Sequence, residues 1–112
     1  MVRLLSLLLV VAGGAVYPSQ VGECWGLQPP VDGPIVRAFD PTGRFSGHWG
    51  IDWEVPVGHD IRPAGPGVVS FAGTVVSNRT VTVNHGGGLR TSYSYLAAIH
   101  VKQGDRVDLS TV

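Results

Sequence analysis

The stretch that decides the fold lies near the middle of the chain and reads Gly47-His48-Trp49-Gly50-Ile51-Asp52-Trp53-Glu54-Val55-Pro56-Val57-Gly58. A neutral imidazole and a carboxylate are ordinary zinc ligands, and His48 and Asp52 lie on one face of an extended chain. In a straight strand they would be ~13 Å apart, so both reach one ion only if the backbone bends. Gly47 and Gly50 flank the histidine and permit that bend. Taken alone, His-x-x-x-Asp is a weak pattern that is more often a surface pair or a hydrogen-bonded turn.

Composition indicates one small globular domain and excludes several classes of partner. The chain has 112 residues, which favours a single domain. Its formal net charge is zero, from 8 basic and 8 acidic residues, and no basic patch stands out, so nucleic acid is not an expected partner. Hydrophobic residues make up 44% of the chain and charged residues 14%, which excludes a disordered tail.

The first residues have the layout of a secretory signal peptide. Arg3 supplies a positive charge, residues 4–15 are almost wholly apolar, and Gly13-Gly14-Ala15 closes the run with small residues. We expect residues 1–15 to be a signal peptide cleaved after Ala15, which predicts a secreted, extracytoplasmic protein. The apolar run is shorter than the ~20 residues that a membrane-spanning helix needs, so no stable membrane span is expected. Cys24 is expected to be an unpaired thiol near the new N-terminus.

The rest of the chain predicts an all-β fold. Residues 16–34 form a Pro/Gly-rich leader that cannot hold a helix. From residue 35 to residue 112, short Val-rich runs alternate with Gly and Pro, which predicts a small antiparallel β-sandwich or partly open barrel. The predicted strands are 67–74 and a hairpin over 80–96 that turns at Gly86-Gly87-Gly88, followed by strand, turn and strand over 101–107. In the hairpin, Thr91, Tyr93 and Tyr95 are expected to share one face.

Several motifs in order resemble those of the lysostaphin-like (LytM-type) zinc metallopeptidases, which are peptidoglycan endopeptidases. The stretch from Gly47 is similar to the family's His-x-Gly-Ile-Asp-Ile-x-x-Pro-x-Gly motif. Residues 61–73 resemble Val-x-Ala-x-x-x-Gly-x-Val-x-x-Ala-Gly, and residues 81–93 resemble Val-x-Ile-x-His-Gly-x-Gly-x-x-Thr-x-Tyr. Residues 101–107 resemble the family's Val-x-x-Gly-x-x-Val turn. The resemblance covers about residues 33–112.

The resemblance implies a zinc site and a cell-wall substrate. In that family, one zinc ion is held by the His and Asp of the first motif and by a later His-x-His motif, with water in the open position. His48 and Asp52 match the first two metal ligands, and Tyr93 is the residue expected to bind substrate. The implied partner is peptidoglycan or its cross-link peptides.

Two departures from the family pattern argue against the catalytic activity that the resemblance implies. The family's Tyr-x-His-Leu appears as Tyr93-Ser94-Tyr95-Leu96, so Tyr95 stands where the catalytic histidine is expected and no catalytic residue is assigned. We expect Tyr95 to pack on a strand face. No His-x-His motif occurs in the sequence, so the third ligand is absent and the domain is expected to be partial and partly degenerate, either a fragment of a longer reading frame or a shortened relative. His59 and His100 are expected to be exposed, and His85 to be structural.

Three functions remain open at this point. The first is a secreted zinc metalloendopeptidase-like domain that acts on wall peptides, and whether this chain is an active enzyme is left uncertain. The second is a non-catalytic module of the same fold that binds the wall or regulates hydrolases. The third is a biotinyl- or lipoyl-type carrier, which fits poorly because such a domain presents a lysine at a hairpin tip, whereas the chain's one lysine, Lys102, precedes its turn.

Overall fold

The described part of the chain consists of strands and loops. The structure is a computed structural model that describes the backbone of residues 2–9 and the whole of residues 26–112. The strands are β1 (Val2–Leu9), β2 (Ile35–Arg37), β3 (Asp40–Pro41), β4 (Gly47–His48), β5 (Ile51–Val55), β6 (Gly67–Val75), β7 (Asn78–Gly86), β8 (Leu89–Leu96) and β9 (Arg106–Val107). The predicted all-β class is confirmed.

Seven of these strands form one antiparallel sheet. Its order is β2-β5-β1-β8-β7-β6-β9, and every neighbouring pair is antiparallel. Strands β3 and β4 form a separate two-stranded sheet. Strand β1 therefore stands between β5 and β8 and joins the β2–β5 pair to the other four strands.

The central hairpin agrees with the sequence prediction, whereas the last segment agrees only in part. Strands β7 and β8 pair on either side of a turn in which Gly86, Gly87 and Gly88 all have positive φ. The first strand predicted in 101–107 does not form. The Lys102 amide instead donates to the Asp105 carboxylate at 2.9 Å, which makes a local turn before the short strand β9.

The shared face predicted for β8 ends at Tyr93. Thr91 and Tyr93 are buried, but Tyr95 is 49% exposed and has a φ of 64°. The register shifts between the Arg79–Leu96 and Val81–Tyr93 pairs, so β8 carries an extra residue there. Such a bulge interrupts the alternation of a strand, and the expected packing of Tyr95 on the strand face is therefore not seen.

The hydrophobic core lies on one face of the main sheet. Its members are apolar side chains of β5, β6, β7, β8 and β9 together with residues of the loops that cover them: Val31, Trp53, Val55, Ala64, Val69, Val81, Val83, Tyr93 and Val107. On β5 these side chains alternate with Asp52 and Glu54, so the two carboxylates lie on the opposite face. On that face, hydroxyls pair across β7 and β8, Thr82 with Ser92 at 2.8 Å and Thr80 with Ser94 at 3.0 Å.

A chain of hydrogen bonds connects the loop between β5 and β6, here called the covering loop, to strands β7 and β8. The Ala64 amide donates to the Tyr93 hydroxyl at 2.7 Å, and the hydroxyls of Tyr93 and Thr91 are 2.6 Å apart. His85 Nε2 lies 2.8 Å from Thr91 Oγ1, and Nδ1 lies 2.7 Å from the Pro66 carbonyl. A carbonyl only accepts, so Nδ1 carries the proton and, in a neutral imidazole, Nε2 accepts from Thr91. Tyr93 must then donate to Thr91, and each polar group in the chain has a partner.

The described residues include only part of the expected signal peptide and leader. The backbone of residues 2–9 is β1 of the main sheet, while Ala15 and Cys24 lie outside the described residues. The signal peptide, its cleavage after Ala15 and the free thiol stay predictions. In the portion of the chain that the structure describes, no helix is long and apolar enough to cross a membrane.

The hydrogen-bond chain predicts a stability loss on removal of one hydroxyl. Tyr93→Phe leaves the buried Ala64 amide without its acceptor, which is expected to lower the free energy of unfolding by about 1–3 kcal/mol. Urea denaturation measures this loss. Tyr95→Phe is the matched control, because the same atom is removed from a half-exposed side chain and a change within about 0.5 kcal/mol is expected. Equal losses in the two variants would contradict this role of Tyr93.

Tyr93 also predicts a loss of stability at high pH. Burial raises the pKa of its phenol above the ordinary 10.0, against smaller lowering effects of the hydrogen bonds with Thr91 and Ala64. The folded chain thus keeps a proton that the unfolded chain releases. This contribution is complete below pH 10.0 and is lost as the pH rises through the folded-state pKa. Urea denaturation across this range should show a steeper fall for the wild type than for Tyr93→Phe, and parallel curves would refute the assignment.

Candidate metal site

A bend in the backbone brings His48 and Asp52 together. His48 ends β4, which pairs with β3 in the small sheet, whereas Asp52 lies in β5 of the main sheet. Trp49 and Gly50 connect the two strands. His48 Nε2 and Asp52 Oδ1 are 3.2 Å apart, which a straight strand could not achieve. The backbone therefore bends between these residues, which is the condition under which both side chains could reach one ion.

Gly47 is the glycine that this bend requires. Its φ is 84°, a left-handed conformation that other residues adopt at a cost. A Cβ at this position would overlap the Asp40 carbonyl oxygen and the Thr42 amide nitrogen, both of which belong to the backbone opposite β4. The close approach of β3 to β4, and with it the position of His48, depends on the missing side chain.

The orientation of the His48 ring is fixed by a backbone carbonyl. Nδ1 lies 2.8 Å from the Ala38 carbonyl oxygen, which can only accept, so Nδ1 carries the proton. In the neutral ring, Nε2 then presents a lone pair toward the Asp52 carboxylate. Two acceptors facing each other are unfavourable unless a cation or a proton lies between them. A histidine held through its second nitrogen by a backbone carbonyl is the usual arrangement of a zinc ligand.

The geometry of the pair fits zinc. Ligands at about 2.0–2.1 Å for nitrogen and 2.0–2.2 Å for oxygen, at the tetrahedral angle, lie roughly 3.3–3.4 Å apart. The observed separation of 3.2 Å is close to that value. His48 and Asp52 are each only 8% exposed, so an ion between them would be largely shielded from solvent. The donor set of one imidazole and one carboxylate is among those that zinc takes.

The described residues bring two candidate metal ligands to this site. Across residues 2–9 and 26–112, no group of three or more His, Cys, Asp or Glu side chains is placed to hold a metal ion. His59 and His100 are exposed, as predicted, and His85 belongs to the hydrogen-bond chain of the core. The structure therefore brings together the two predicted metal ligands, and no His, Cys, Asp or Glu among its described residues joins them as a third donor.

Tyr93 and Tyr95 occupy different environments. Tyr93 lies in the core, on the face of the sheet opposite Asp52, and its hydroxyl is engaged by Ala64 and Thr91. Its expected contact with substrate stays a prediction and enters no step proposed below. Tyr95 is half-exposed at the β8 bulge, next to Ser94, whose backbone lies one strand away from Asp52 across β1.

Two half-exposed aromatic side chains, Phe39 and Trp49, contact each other next to Ala38 and His48 in the chain, and no sequence pattern groups them. Trp49 is 39% exposed and Phe39 48%, and their rings meet edge to face with centroids 6.1 Å apart. The Trp49 indole N–H also donates to the Ser46 carbonyl at 3.0 Å. The Ala38 contact could not be predicted either, because any residue type supplies a backbone carbonyl. The contact between Phe39 and Trp49 is likewise visible only in the structure.

Comparison with known proteins places the chain in a family. Residues 46–112 match Peptidase family M23. An uncharacterized protein of Mycobacterium tuberculosis is 38% identical over 107 residues, which cover 94% of this chain and 41% of that protein, and an uncharacterized Mycobacterium bovis protein matches equally. An uncharacterized metalloprotease of Buchnera aphidicola is 36% identical over 73 residues, 63% of this chain and 19% of that protein.

The chain spans about two-fifths of the length of the mycobacterial relatives that it matches. No solved structure matches it. The family match includes His48, Asp52 and the whole β6–β8 region, which are the segments that carry the motifs identified in the sequence. The lysostaphin-like resemblance is confirmed, and the chain belongs to Peptidase family M23.

Proposed function

We propose that this chain carries a secreted, zinc-dependent metalloendopeptidase-like domain directed at the cross-link peptides of peptidoglycan. One observation carries the proposal: His48 Nε2 and Asp52 Oδ1 lie 3.2 Å apart, nearly buried, with the imidazole oriented for metal by Ala38. Membership of the M23 family gives this pair its chemical context. The activity of the whole protein on the bacterial wall is part of the proposal, because the chain matches only a part of its longer relatives.

The residues of this chain have defined tasks in that chemistry. Zinc, when bound, polarises a peptide carbonyl and lowers the pKa of a coordinated water. His48 and Asp52 would hold the ion, and Ala38 keeps the imidazole in the tautomer that exposes Nε2. The aromatic pair of Phe39 and Trp49 forms an apolar rim on which an extended peptide can lie.

Tyr95 limits the proton chemistry that this chain can perform. A phenol at the family's histidine position can donate a hydrogen bond to a developing oxyanion, but near neutral pH it is a poor proton shuttle. This substitution and the two-donor metal site are the observations in favour of the second candidate function, a non-catalytic module that binds the wall or regulates hydrolases.

The metal pair predicts a specific pattern of zinc binding. The purified full chain is expected to bind about one equivalent of zinc, measured by titration calorimetry and elemental analysis. His48→Ala and Asp52→Ala each remove a ligand and should weaken binding by at least roughly tenfold. His59→Ala removes an exposed histidine outside the pair and should leave binding unchanged. Equal zinc affinity in all three variants would exclude the pair as the metal site.

A wall assay separates the two candidate functions. The full chain is incubated with insoluble peptidoglycan, and bound protein and released peptides are both measured. Peptide release that is lost in His48→Ala supports the peptidase. Retention on the wall without release supports the binding module, and neither retention nor release contradicts both functions.

Gly47 predicts a metal-binding defect that acts through the backbone. Gly47→Ala forces β3 away from β4 and displaces His48, so zinc affinity is expected to fall by roughly tenfold or more. Gly58→Ala is the matched control, because Gly58 has a φ of 86° but a Cβ there meets nothing within 4 Å. Both variants should lose about 1 kcal/mol of stability from the left-handed conformation. Unchanged zinc affinity in a folded Gly47→Ala chain would show that this glycine does not position His48.

A further inference from the structure

The outer edge of β6 is open along the second half of the strand. Strand β9 pairs with the first two residues of β6, and Val69 makes two further backbone hydrogen bonds with the turn that precedes β9. A bulge then interrupts β6 between Val69 and Phe71. Within the described part of the chain, no strand pairs with the outer side of residues 71–75. These residues form an edge that another extended chain can reach.

The direction of the free backbone groups follows from the hairpin turn after β6. Val76 and Ser77 both have positive φ, 46° and 70°, which defines a two-residue type I′ turn. The two residues that flank such a turn are hydrogen-bonded to each other, so the backbone of Val75 faces β7. Backbone groups alternate in direction along a strand. The N–H and C=O groups of Ala72 and Thr74 therefore point outward, away from β7.

The side chains of this edge determine which partner it can accept. Residues 67–78 contain no charged residue and no proline, which are the residues that usually keep edge strands apart. The side chains of Phe71, Val75 and Val76 are 39%, 47% and 89% exposed. A charged strand would find no opposite charge on this edge, whereas an uncharged apolar strand can bury these side chains. A second copy of β6 meets that requirement without any contact between like charges.

The edge is also complementary to itself in one particular register. When two copies of β6 pair antiparallel about a two-fold axis at Gly73, Phe71 lies opposite the Val75 of the other copy. Ala72 then lies opposite the other copy's Thr74, and these are the two residues whose free backbone groups point outward. An aromatic residue opposite a β-branched residue is a favourable cross-strand pair. Both the backbone and the side chains are matched in this register.

Gly73 gives the aromatic rings room at the two-fold axis. A Cβ at Gly73 would lie 3.1 Å from the Cζ atom of Phe71, so the Phe71 ring already lies over the glycine. In the paired copies the two glycines face each other with Cα atoms about 4.5 Å apart. The two Phe71 rings then meet above the glycines, and contacts between aromatic rings add to the gain from apolar burial.

We propose that residues 71–75 form a self-pairing edge through which two copies of this chain join their main sheets. The assembly stops at a dimer, because each copy uses the same edge and that edge is then paired. The contact area is smaller than the ~1,200 Å² of stable complexes, so the dimer is weak, with a Kd roughly between micromolar and millimolar. The pairing needs no metal, and a chain that binds no zinc dimerises equally well.

The dimer presents two candidate metal sites on one side of a continuous sheet. Two antiparallel edge strands are related by a two-fold axis perpendicular to the sheet, so the face that carries Asp52 is on the same side in both copies. Two sites directed at one wall surface raise the overall affinity through multivalency. This consequence rests on the proposed function, whereas the dimer itself does not.

Sedimentation velocity of the full chain over a range of concentrations tests the dimer. Cys24→Ser is introduced throughout to exclude disulfide-linked species, and a monomer–dimer equilibrium is expected. Thr74→Pro removes an outward N–H group and places a ring at the edge, so association should weaken by roughly tenfold or more. A chain that stays monomeric up to about 1 mM, or that forms species larger than dimers, would overturn the proposal.

Val57→Pro is the matched control for the proline substitution. Val57 is 65% exposed and lies at the second position of a turn closed by the hydrogen bond from the His59 amide to the Pro56 carbonyl. Gly58 follows with a φ of 86°, so the turn is of the type that accepts proline at position 57. This variant should dimerise like the parent chain. Equal association by folded Thr74→Pro and Val57→Pro chains contradicts the self-pairing edge.

A cross-linking experiment tests the register without a proline substitution. In the Cys24→Ser background, Phe71→Cys and Val75→Cys chains are mixed and oxidised, and intact mass distinguishes the mixed disulfide from the two symmetric ones. Positions 71 and 75 lie opposite each other across the axis, within the Cα separation that a disulfide needs. Two copies of position 75 lie about 13 Å apart. The mixed disulfide should predominate, and a statistical mixture of the three products would overturn the register and with it the proposal.

Discussion

The hydrogen bond from His48 Nδ1 to the Ala38 carbonyl is the interaction on which the candidate site depends. It fixes the tautomer of the imidazole, turns Nε2 toward Asp52, and connects the loop before β3 to strand β4. Without it, the left-handed turn at Gly47 would position a backbone but leave the ring free to rotate. One backbone carbonyl, ten residues away in sequence, thus orients the imidazole of the candidate pair.

The two faces of the main sheet carry different features, the apolar core on one and the candidate site residue Asp52 on the other. One face carries the apolar core and the chain of hydrogen bonds through Tyr93, Thr91 and His85, which holds the covering loop in place. The opposite face carries Asp52 and the paired hydroxyls of β7 and β8. Because neighbouring residues on a strand point to opposite faces, a change such as Tyr93→Phe can alter stability without touching the metal pair.

Much of this arrangement could be predicted from the sequence, because alternation and turn residues are local signals. The all-β class, the hairpin turning at Gly86 and the bend between His48 and Asp52 all follow from such signals. The bulge at Tyr95 could not be predicted, because an extra residue in β8 is visible only against its partner β7. The strand expected at 101–102 does not form because the Lys102 amide donates to the Asp105 carboxylate and not to a neighbouring strand.

The sequence predicted the two residues of the candidate site, His48 and Asp52, but not the residues that surround them. His48 and Asp52 carry a recognisable spacing, and their contact confirms the bend that this spacing demanded. The position of β1 beside them had no signal in the sequence, since an apolar run after a basic residue is typical of an exported leader and equally compatible with a buried strand. The pairing of β1 with β5 and β8, in which Leu5 is opposite Asp52 and Ser94, is visible only in the structure.

The aromatic rim of the site has a consequence for the entropy of binding. The Trp49 indole is already held by the Ser46 carbonyl and by the edge of Phe39, so these side chains have little rotational freedom left to lose. Immobilising a mobile side chain at an interface costs about 0.5–1.5 kcal/mol, and here the fold has met that cost before any ligand arrives. For a peptide bound beside His48 as proposed, the remaining ordering cost would therefore fall mainly on the peptide itself.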